Sequence, residues 1–99
     1  MAAYLVVEIE VKDPGKYERY KALAPASIAQ YGGRYLARGG KAETLEGSWA
    51  PKRLVILEFP SMDRARAWWG SQDYAEAKGL RQASASTDMV LLEGVAEIR

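Results

Sequence analysis

The sequence predicts an α+β domain whose elements follow the order βαββαβ. Residues 4–11 alternate between apolar and polar side chains, which is the pattern of a half-buried strand. Two glycine pairs enclose a second, short strand at residues 34–38. A third strand, residues 53–59, is nearly all apolar at its centre, as interior strands covered on both faces are. These strands and the helical segments around them define the fold class.

The first helix is predicted to begin at Asp13-Pro14. An aspartate caps free N–H groups, and proline suits the first helical position. Apolar and aromatic side chains recur at near-helical spacing along the segment that follows. Pro25 interrupts this run, so a kink or a break is expected near residues 23–24. Gly32-Gly33 ends the helix, since the residue after the last turn commonly needs a left-handed backbone.

The second half of the chain predicts two shorter helices and a final strand. Ser61 is the expected cap of a helix that ends or bends at Gly70. A further short helix is expected over residues 71–79. Residues 82–88 are small and polar and predict a connection, and residues 89–98 predict the last strand.

This order is the ferredoxin-like plan, in which strands one and three are central and two helices cover one face of an antiparallel sheet. The other face combines a few charges with apolar side chains, namely Val6, Leu36, Leu54 and Ile56. Such a face is too apolar to stay wet, so sheet-to-sheet pairing into a homodimer is expected. The chain is expected to form a single domain, residues 1–99. Light scattering that shows only monomer at micromolar concentration would contradict the dimer.

Composition excludes several classes of function. Fourteen basic and thirteen acidic residues leave a net charge of +1, and no basic run indicates a nucleic-acid partner. No apolar run approaches the ~20 residues of a membrane span. The N-terminus does not have the pattern of a signal peptide, so a cytoplasmic protein is expected. Because cysteine and histidine are both absent, thiol and imidazole sites are excluded, and neither a metal nor a cofactor is expected.

A set of short motifs resembles a known family. They are Tyr31-Gly-Gly-Arg-Tyr-Leu-Ala-Arg-Gly-Gly40, Glu46-Gly-Ser-Trp49 with Pro51, Glu58-Phe-Pro-Ser61, Trp68-Trp69, Asp73-Tyr74 and Leu80-Arg81. Over nearly its full length the chain resembles the uncharacterised family known as domain of unknown function 1330, in the dimeric α/β-barrel superfamily. The resemblance implies a ferredoxin-like subunit whose sheet joins that of a second copy across a two-fold axis.

The resemblance implies no established activity. Related superfamily members include cofactor-free monooxygenases, muconolactone isomerase-like enzymes, haem-degrading proteins and chlorite dismutases, which share a cleft between helices and sheet. A shared fold does not transfer a function. A chain without histidine is also a poor match to the haem-binding relatives.

Arg38 is the first candidate for ligand binding. If Glu58 lies across the hairpin from it, the two side chains are expected to form a partly buried ion pair. In the functional interpretation Arg38 binds a carboxylate or an enolate, because a guanidinium matches planar anions. Glu58 is then a candidate base whose pKa is raised by apolar surroundings. In the structural interpretation, which is favoured, the pair only fixes the dimer register.

Aromatic side chains are the next candidates. Trp68, Tyr17 and Tyr20 are expected either to line a cleft for a small ligand or, for Trp68, to pack the helix on the sheet, and packing is favoured. Trp49 lies in a loop bounded by glycine and proline. It is expected either to cover the cleft or to reach the partner subunit.

Tyr74 and Arg81 lie seven residues apart, so a continuous helix would place them on one face, although Gly79 makes continuity doubtful. Beside Arg81, Tyr74 is a second candidate for moving a proton, and Arg81 is a candidate for holding an anion. In the favoured alternative, Asp73 and Arg81 only attach the 71–81 segment to the sheet or to the other subunit.

Two functions therefore remain open. The leading hypothesis is a homodimer that binds a small organic acid or aromatic molecule, with cofactor-free isomerase or monooxygenase chemistry if it is an enzyme. The alternative is a non-catalytic binding or assembly module. An open cleft of a few hundred Å³ with convergent polar groups would favour the first, and a cleft filled by aromatic side chains would favour the second.

Overall fold

The computed structural model describes residues 1–96 and confirms the predicted α+β, ferredoxin-like fold. The strands are β1 (Ala3–Val11), β2 (Arg34–Arg38), β3 (Leu54–Phe59) and β4 (Ala85–Glu93). The helices are α1 (Pro14–Gln30), α2 (Met62–Trp69) and α3 (Gln72–Ser84). The predicted caps Asp13, Ser61 and Ser71 accept hydrogen bonds from the first turns of the three helices. No helix among the described residues is long and apolar enough to span a membrane.

The four strands form one antiparallel sheet in the order β2-β3-β1-β4. Alternate residues of β1 are buried under the helices, namely Ala3, Leu5, Val7 and Ile9. The intervening residues lie on the other face, where Tyr4 is opposite Glu58 and Val6 is opposite Ile56. We call this uncovered side the open face. β1 and β3 are central, as predicted.

The core lies between the sheet and the helices and is centred on three aromatic side chains. The Trp68 ring lies 5.3 Å from that of Phe59 and 3.9 Å from that of Tyr74, measured between centroids. Trp68 is fully buried, and its Nε1 donates a hydrogen bond to Ser27 Oγ at 3.0 Å. Because a buried indole N–H needs an acceptor, Ser27 is the polar partner that lets tryptophan fill this position.

The predicted break in the first helix is wrong, because α1 runs through Pro25 without interruption. A proline has no N–H, so the carbonyl of Lys21, one turn earlier, lacks its usual helical donor. Arg38 Nη2 donates to that oxygen at 3.0 Å. The Lys21 carbonyl, which Pro25 leaves without a helical donor, therefore binds the side chain of Arg38 in β2.

The boundaries near the C-terminus also differ from the prediction. α3 continues through Gly79, which is exposed, so its cost is limited to the ~1 kcal/mol of a helical glycine. Residues 85–88, predicted as a connection, instead pair with β1 and begin β4. Their small polar side chains do not have the pattern of a strand. The segment is extended because its backbone forms hydrogen bonds with β1. The predicted strand is confirmed over 89–93 and absent over 94–96, and residues 97–98 lie outside the described residues.

Candidate functional site

A β-bulge in β2 decides where Arg38 lies. Arg34 is opposite Glu58, but the register shifts between Tyr35 and Ala37, so that Arg38 is opposite Val55. Val55 belongs to the buried, helix-facing side of the sheet. Arg38 therefore lies on the same side. Its side chain contacts α1 through Lys21 O, and its guanidinium carbon lies 4.4 Å from the Tyr35 ring centroid. The expected Arg38–Glu58 pair is therefore wrong, since one extra residue turns Arg38 to the other face.

Glu58 lies on the open face and pairs with Arg34. Arg34 Nε donates to Glu58 Oε1 at 2.6 Å. This hydrogen bond holds the pKa of Glu58 below its usual range. The expectation of a base in apolar surroundings, with a raised pKa, is therefore wrong, and Glu58 lies on the other side of the sheet from Arg38.

Arg53 is a site residue that the sequence analysis missed. It precedes β3, its Nε donates to the Tyr17 hydroxyl at 3.0 Å, and its guanidinium carbon lies 5.6 Å from the centroid of that ring. Gly39 makes room for it: this glycine has a φ of 71°, and a Cβ built there would collide with the Arg53 guanidinium. The Gly39-Gly40 pair was the available signal, since such a glycine allows close approach of another group.

Tyr20, Tyr74 and Arg81 form a chain of polar contacts between α1 and α3. The hydroxyls of Tyr20 and Tyr74 are 3.4 Å apart, and Arg81 Nε donates to the Tyr74 hydroxyl at 3.3 Å. Tyr74 and Arg81 do share the buried face of one continuous helix, and Arg81 is only 4% exposed. Burial raises the pKa values of Tyr20 and Tyr35, so these two phenols stay neutral at physiological pH.

These side chains form one polar group inside the helix–sheet layer, which we call the tyrosine–arginine cluster. Its members are Tyr17, Tyr20, Tyr35, Tyr74, Arg38, Arg53 and Arg81. A cavity of about 10 Å³ lies within it, lined by Ile9, Tyr17, Tyr20, Lys21, Tyr35, Arg38, Arg53 and Val55. That is room for about one water molecule. The cleft is closed by its own side chains.

The cluster carries positive charge that the described residues do not balance. No carboxylate oxygen of residues 1–96 lies within 4.0 Å of the guanidinium of Arg38, Arg53 or Arg81. Arg81 lies in the last turn of α3, where the helix dipole favours a cation. A guanidinium has five N–H donors. Arg81 uses one of its N–H donors in the hydrogen bond to the Tyr74 hydroxyl, and the Arg81 side chain is almost wholly buried.

The tryptophans do not line this cavity. Trp68 confirms the favoured expectation of core packing, since it is fully buried between Phe59 and Tyr74. Trp49 donates from Nε1 to Glu8 Oε1 at 3.1 Å, which places it on the open face rather than over the cleft. It is 59% exposed there. Its expected role as a cover of the cleft is therefore wrong within one subunit, and a contact with a partner stays a prediction.

Asp73 attaches the start of α3 to the end of α1, because its Oδ2 accepts a hydrogen bond from the Tyr31 hydroxyl at 2.8 Å. The expected attachment of Asp73 to the sheet is therefore wrong within one subunit, and an attachment to the other subunit stays a prediction. Among the described residues, no group of three or more acidic side chains could hold a metal ion.

Two of the larger hollows carry no unbalanced charge. One, of about 560 Å³, lies at the sheet edge beside the Arg34–Glu58 pair, whose charges neutralise each other. The other, of about 370 Å³, is a largely apolar groove between α2 and β4, lined by Leu5, Ala65, Arg66, Trp69, Met89 and Leu91. The tyrosine–arginine cluster has a smaller cavity, but no carboxylate among the described residues pairs with its three arginines.

Comparison with known proteins identifies the family. A family model described as a domain of unknown function, DUF1330, matches residues 2–95. The chain belongs to the DUF1330 family. No curated protein matches it.

Solved structures share the fold of this DUF1330 chain at low sequence identity. A protein of unknown function from Rhodopseudomonas palustris superposes with a TM-score of 0.78 at 16% identity, covering 97% of this chain and 84% of that one. A dimeric ferredoxin-like protein of unknown function from Jannaschia sp. CCS1 gives 0.71 at 16% identity, with coverage of 95% and 100%. SnoaB, a cofactor-independent oxygenase from Streptomyces nogalater, gives 0.64 at 14% identity, with coverage of 98% and 96%. At such identities the likeness shows the fold alone.

Proposed function

We propose that this DUF1330 protein is a homodimer that binds a small organic acid or a small aromatic anion in the tyrosine–arginine cluster. The observation that carries the proposal is that Arg38, Arg53 and Arg81 converge there without a carboxylate partner among the described residues. Arg81 is almost wholly buried and Arg53 is half-buried. Leaving buried cations without a counter-charge is costly, so an anion from solution that pairs with the cluster gains affinity.

The other cluster members suit such a ligand. Tyr20 and Tyr35 keep their protons because burial raises their pKa values, so their hydroxyls are available as donors to an oxyanion. The rings of Tyr17 and Tyr20 are 5.4 Å apart and supply a flat apolar wall. A guanidinium binds a carboxylate through two parallel hydrogen bonds, which favours carboxylates over spherical anions.

Entry of a ligand requires Arg38 to move. Its side chain is exposed, and its contacts are the hydrogen bond to Lys21 O and the stack over Tyr35. Neither contact is buried deeply, so the cost of displacing Arg38 is small compared with that of moving a core side chain. When the Arg38 side chain leaves Lys21 O, the space it fills becomes part of the site, and its guanidinium is free to pair with the ligand at the edge of that space.

Turnover, if the protein has it, would follow from the same geometry. Neutral phenols and guanidinium groups stabilise a developing enolate or phenolate, which cofactor-free proton transfer or oxygenation requires. Tyr74 is the proton-moving candidate that belongs to the cluster, whereas Glu58 lies on the opposite face. The shared fold with SnoaB supports this extension by analogy only.

The competing function is a non-catalytic assembly module. The closed cavity of about 10 Å³ favours it, because a cleft filled by tyrosine side chains is also what a purely structural core would show. In that case the arginines only join helices to sheet, and no organic anion stabilises the protein.

The homodimer is supported by the open face. Leu36, Val90 and Leu92 are 46%, 61% and 56% exposed on one side of the sheet. A standard interface buries about 800 Å² per partner. Pairing of two open faces would remove these side chains from water, and proteins of the same fold are described as dimeric.

A thermal-shift screen tests the binding proposal. Purified protein is heated with small organic acids, phenols and quinones, and a ligand at 100 times its dissociation constant adds ~2.7 kcal/mol to the free energy of unfolding. For a chain of this length the melting temperature then rises by several degrees. We expect a stabilising acid whose effect is lost in Arg38→Gln.

Arg34→Gln is the matched control, because Arg34 is on the same strand but faces away from the cluster. It should keep the ligand shift of the unaltered protein. If none of the compounds stabilises the folded dimer, the assembly module is the better description. If both arginine variants keep the shift, the ligand binds outside the cluster and the proposed site is wrong.

A further inference from the structure

We infer that the ligand of the tyrosine–arginine cluster is a planar dicarboxylate. The inference rests on the proposed function, because it takes this cluster to be an anion site and asks which anion matches it. Two guanidinium groups, those of Arg38 and Arg53, line the same small cavity. A ligand with a single carboxylate would leave one of them unpaired.

The number of available cations follows from the ion pairs. Lys21 also lines the cavity, but its Nζ lies 2.6 Å from Glu18 Oε2, so that charge is already balanced. Arg38 and Arg53 have no such partner among residues 1–96. Arg81 lies behind Tyr74 and Tyr20 and adds to the positive potential without lining the cavity. The cavity is therefore lined by two guanidinium groups, those of Arg38 and Arg53, that are available to bind two anionic groups of a ligand.

The tyrosines do not supply those negative charges. Tyr17 accepts a hydrogen bond from Arg53, and Tyr35 lies under Arg38, so each phenol contacts one of the two arginines. Burial keeps Tyr35 protonated at physiological pH. Tyr35 therefore does not neutralise Arg38, and the anionic groups must come from the ligand.

The two arginines reach the cavity from different places. Arg38 ends β2 and stacks on Tyr35, whereas Arg53 precedes β3 and extends past Gly39 towards Tyr17. One carboxylate fills the fork of one guanidinium, so it cannot serve both in this way. Since tyrosine rings form the walls between them, the skeleton that joins the two carboxylates is best flat.

Calorimetric titration of the full chain with matched probes tests the inference. The probes are benzoate, the three isomers of benzenedicarboxylate and the monomethyl ester of each isomer. The ester keeps the size and one charge but removes the second. We expect at least one dicarboxylate to bind about tenfold more tightly than its ester, a difference that corresponds to ~1.4 kcal/mol.

Variants of the two arginines test which of them binds the carboxylates of the dicarboxylate. Arg38→Gln and Arg53→Gln should each lower the affinity of that dicarboxylate to the level of its ester, while Arg34→Gln leaves it unchanged. Arg53→Lys keeps the charge and should keep part of the preference, which separates loss of charge from loss of the contact with Tyr17. Circular dichroism and the melting temperature establish that each variant is folded.

The outcomes distinguish this inference from the proposed function. Equal affinities for diacid and ester, both lost in Arg38→Gln, would overturn the dicarboxylate and leave the anion site standing. A preference for the diacid that neither Arg38→Gln nor Arg53→Gln reduces would place the binding elsewhere and overturn the inference. If no aromatic acid binds to folded protein, the inference fails, and the thermal-shift screen with other organic acids decides whether the anion site itself stands.

Discussion

Arg34 and Arg38 lie four residues apart on β2 and on opposite faces of the sheet. Arg34 is opposite Glu58 and pairs with it, whereas Arg38 is opposite Val55 and contacts α1. In a regular strand, residues separated by an even number share a face. The bulge at Leu36 breaks this rule and divides the two arginines between a neutralised pair and an unpaired cationic site.

The Arg34–Glu58 pair predicts a specific dependence of stability on pH. Its hydrogen bond lowers the pKa of Glu58 in the folded state, so its stabilisation is present above the unfolded-state pKa and is lost as pH falls through the folded-state value. Arg34→Gln should therefore lower the free energy of unfolding at neutral pH, and its effect should shrink as the pH falls below the ordinary glutamate pKa of about 4.3 and through the lower folded-state value. Urea unfolding at neutral pH and at a series of acidic pH values measures this. A deficit that is equally large in acid would show that Arg34 acts through packing.

The buried phenols predict the opposite trend in alkali. The pKa values of Tyr20 and Tyr35 are raised in the folded state, so their contribution to stability is complete below the unfolded-state pKa of about 10. It is lost as pH rises from there towards the folded-state values. Tyr20→Phe should lose less stability between about pH 9 and about pH 11 than the unaltered chain. Urea midpoints across this range test it, and identical slopes would contradict the assignment.

The adjacent tryptophans should respond very differently to truncation. Trp68 is fully buried against Phe59 and Tyr74, so Trp68→Ala should cost about 3–5 kcal/mol of unfolding free energy. Trp69 is 46% exposed and stacks with Lys78, so Trp69→Ala should cost less than about 1 kcal/mol. Chemical denaturation compares them, with Trp68→Phe as the milder variant if the alanine does not fold. Similar losses for both alanines would contradict the described core.

Two glycines provide a matched test of backbone packing. A Cβ at Gly33 would lie 2.6 Å from Phe59 Cε1, so Gly33→Ala must displace a fully buried ring and should cost about 1–3 kcal/mol. Gly40 has no atom within 4 Å of the equivalent position and does not need a left-handed backbone. Gly40→Ala should therefore change stability by no more than about 1 kcal/mol. Thermal unfolding of the two variants compares the second glycine of each pair, and equal losses of stability would contradict the tight packing at Gly33.

The open face predicts how the homodimer can be separated. Leu92 is 56% exposed on β4, and Leu92→Glu would place a carboxylate in the proposed interface, where an unpaired charge is costly. Light scattering at micromolar concentration should then show monomer. Leu23→Glu is the control, because Leu23 is 42% exposed on α1, on the other side of the molecule. A dimer that survives Leu92→Glu but dissociates in Leu23→Glu would place the interface on the helices.

The strands and helices followed from local patterns because each pattern reports a local cause. Alternation in β1 reflects one buried face, and the caps Asp13, Ser61 and Ser71 reflect free N–H groups. The errors lie where a neighbour overrides local preference. Residues 85–88 form a strand because β1 pairs with them, and Gly79 stays helical because its helix packs on α1.

The site was harder to predict for the same reason. Arg38, Tyr17, Tyr20, Tyr74 and Arg81 were singled out from the sequence, and the structure brings all five into one cluster. Their partners were not predictable, since the pairing of Glu58 depends on a bulge that no residue type announces. Arg53 was missed because nothing in its local sequence shows that Gly39, which directly follows β2, leaves room for it.

The bulge at Leu36 makes the position of Arg38 depend on how β2 pairs with β3 rather than on residue type. Deleting Leu36 would leave Ala37 opposite Ile56 and Arg38 opposite Val55, because Leu36 has no partner of its own in β3. Arg34 and Arg38 would then be three residues apart, and a regular strand places residues at an odd separation on opposite faces. The cluster would therefore keep Arg38 after a one-residue deletion at this position. A β2 that kept all five residues without the bulge would instead turn Arg38 towards the open face beside Arg34.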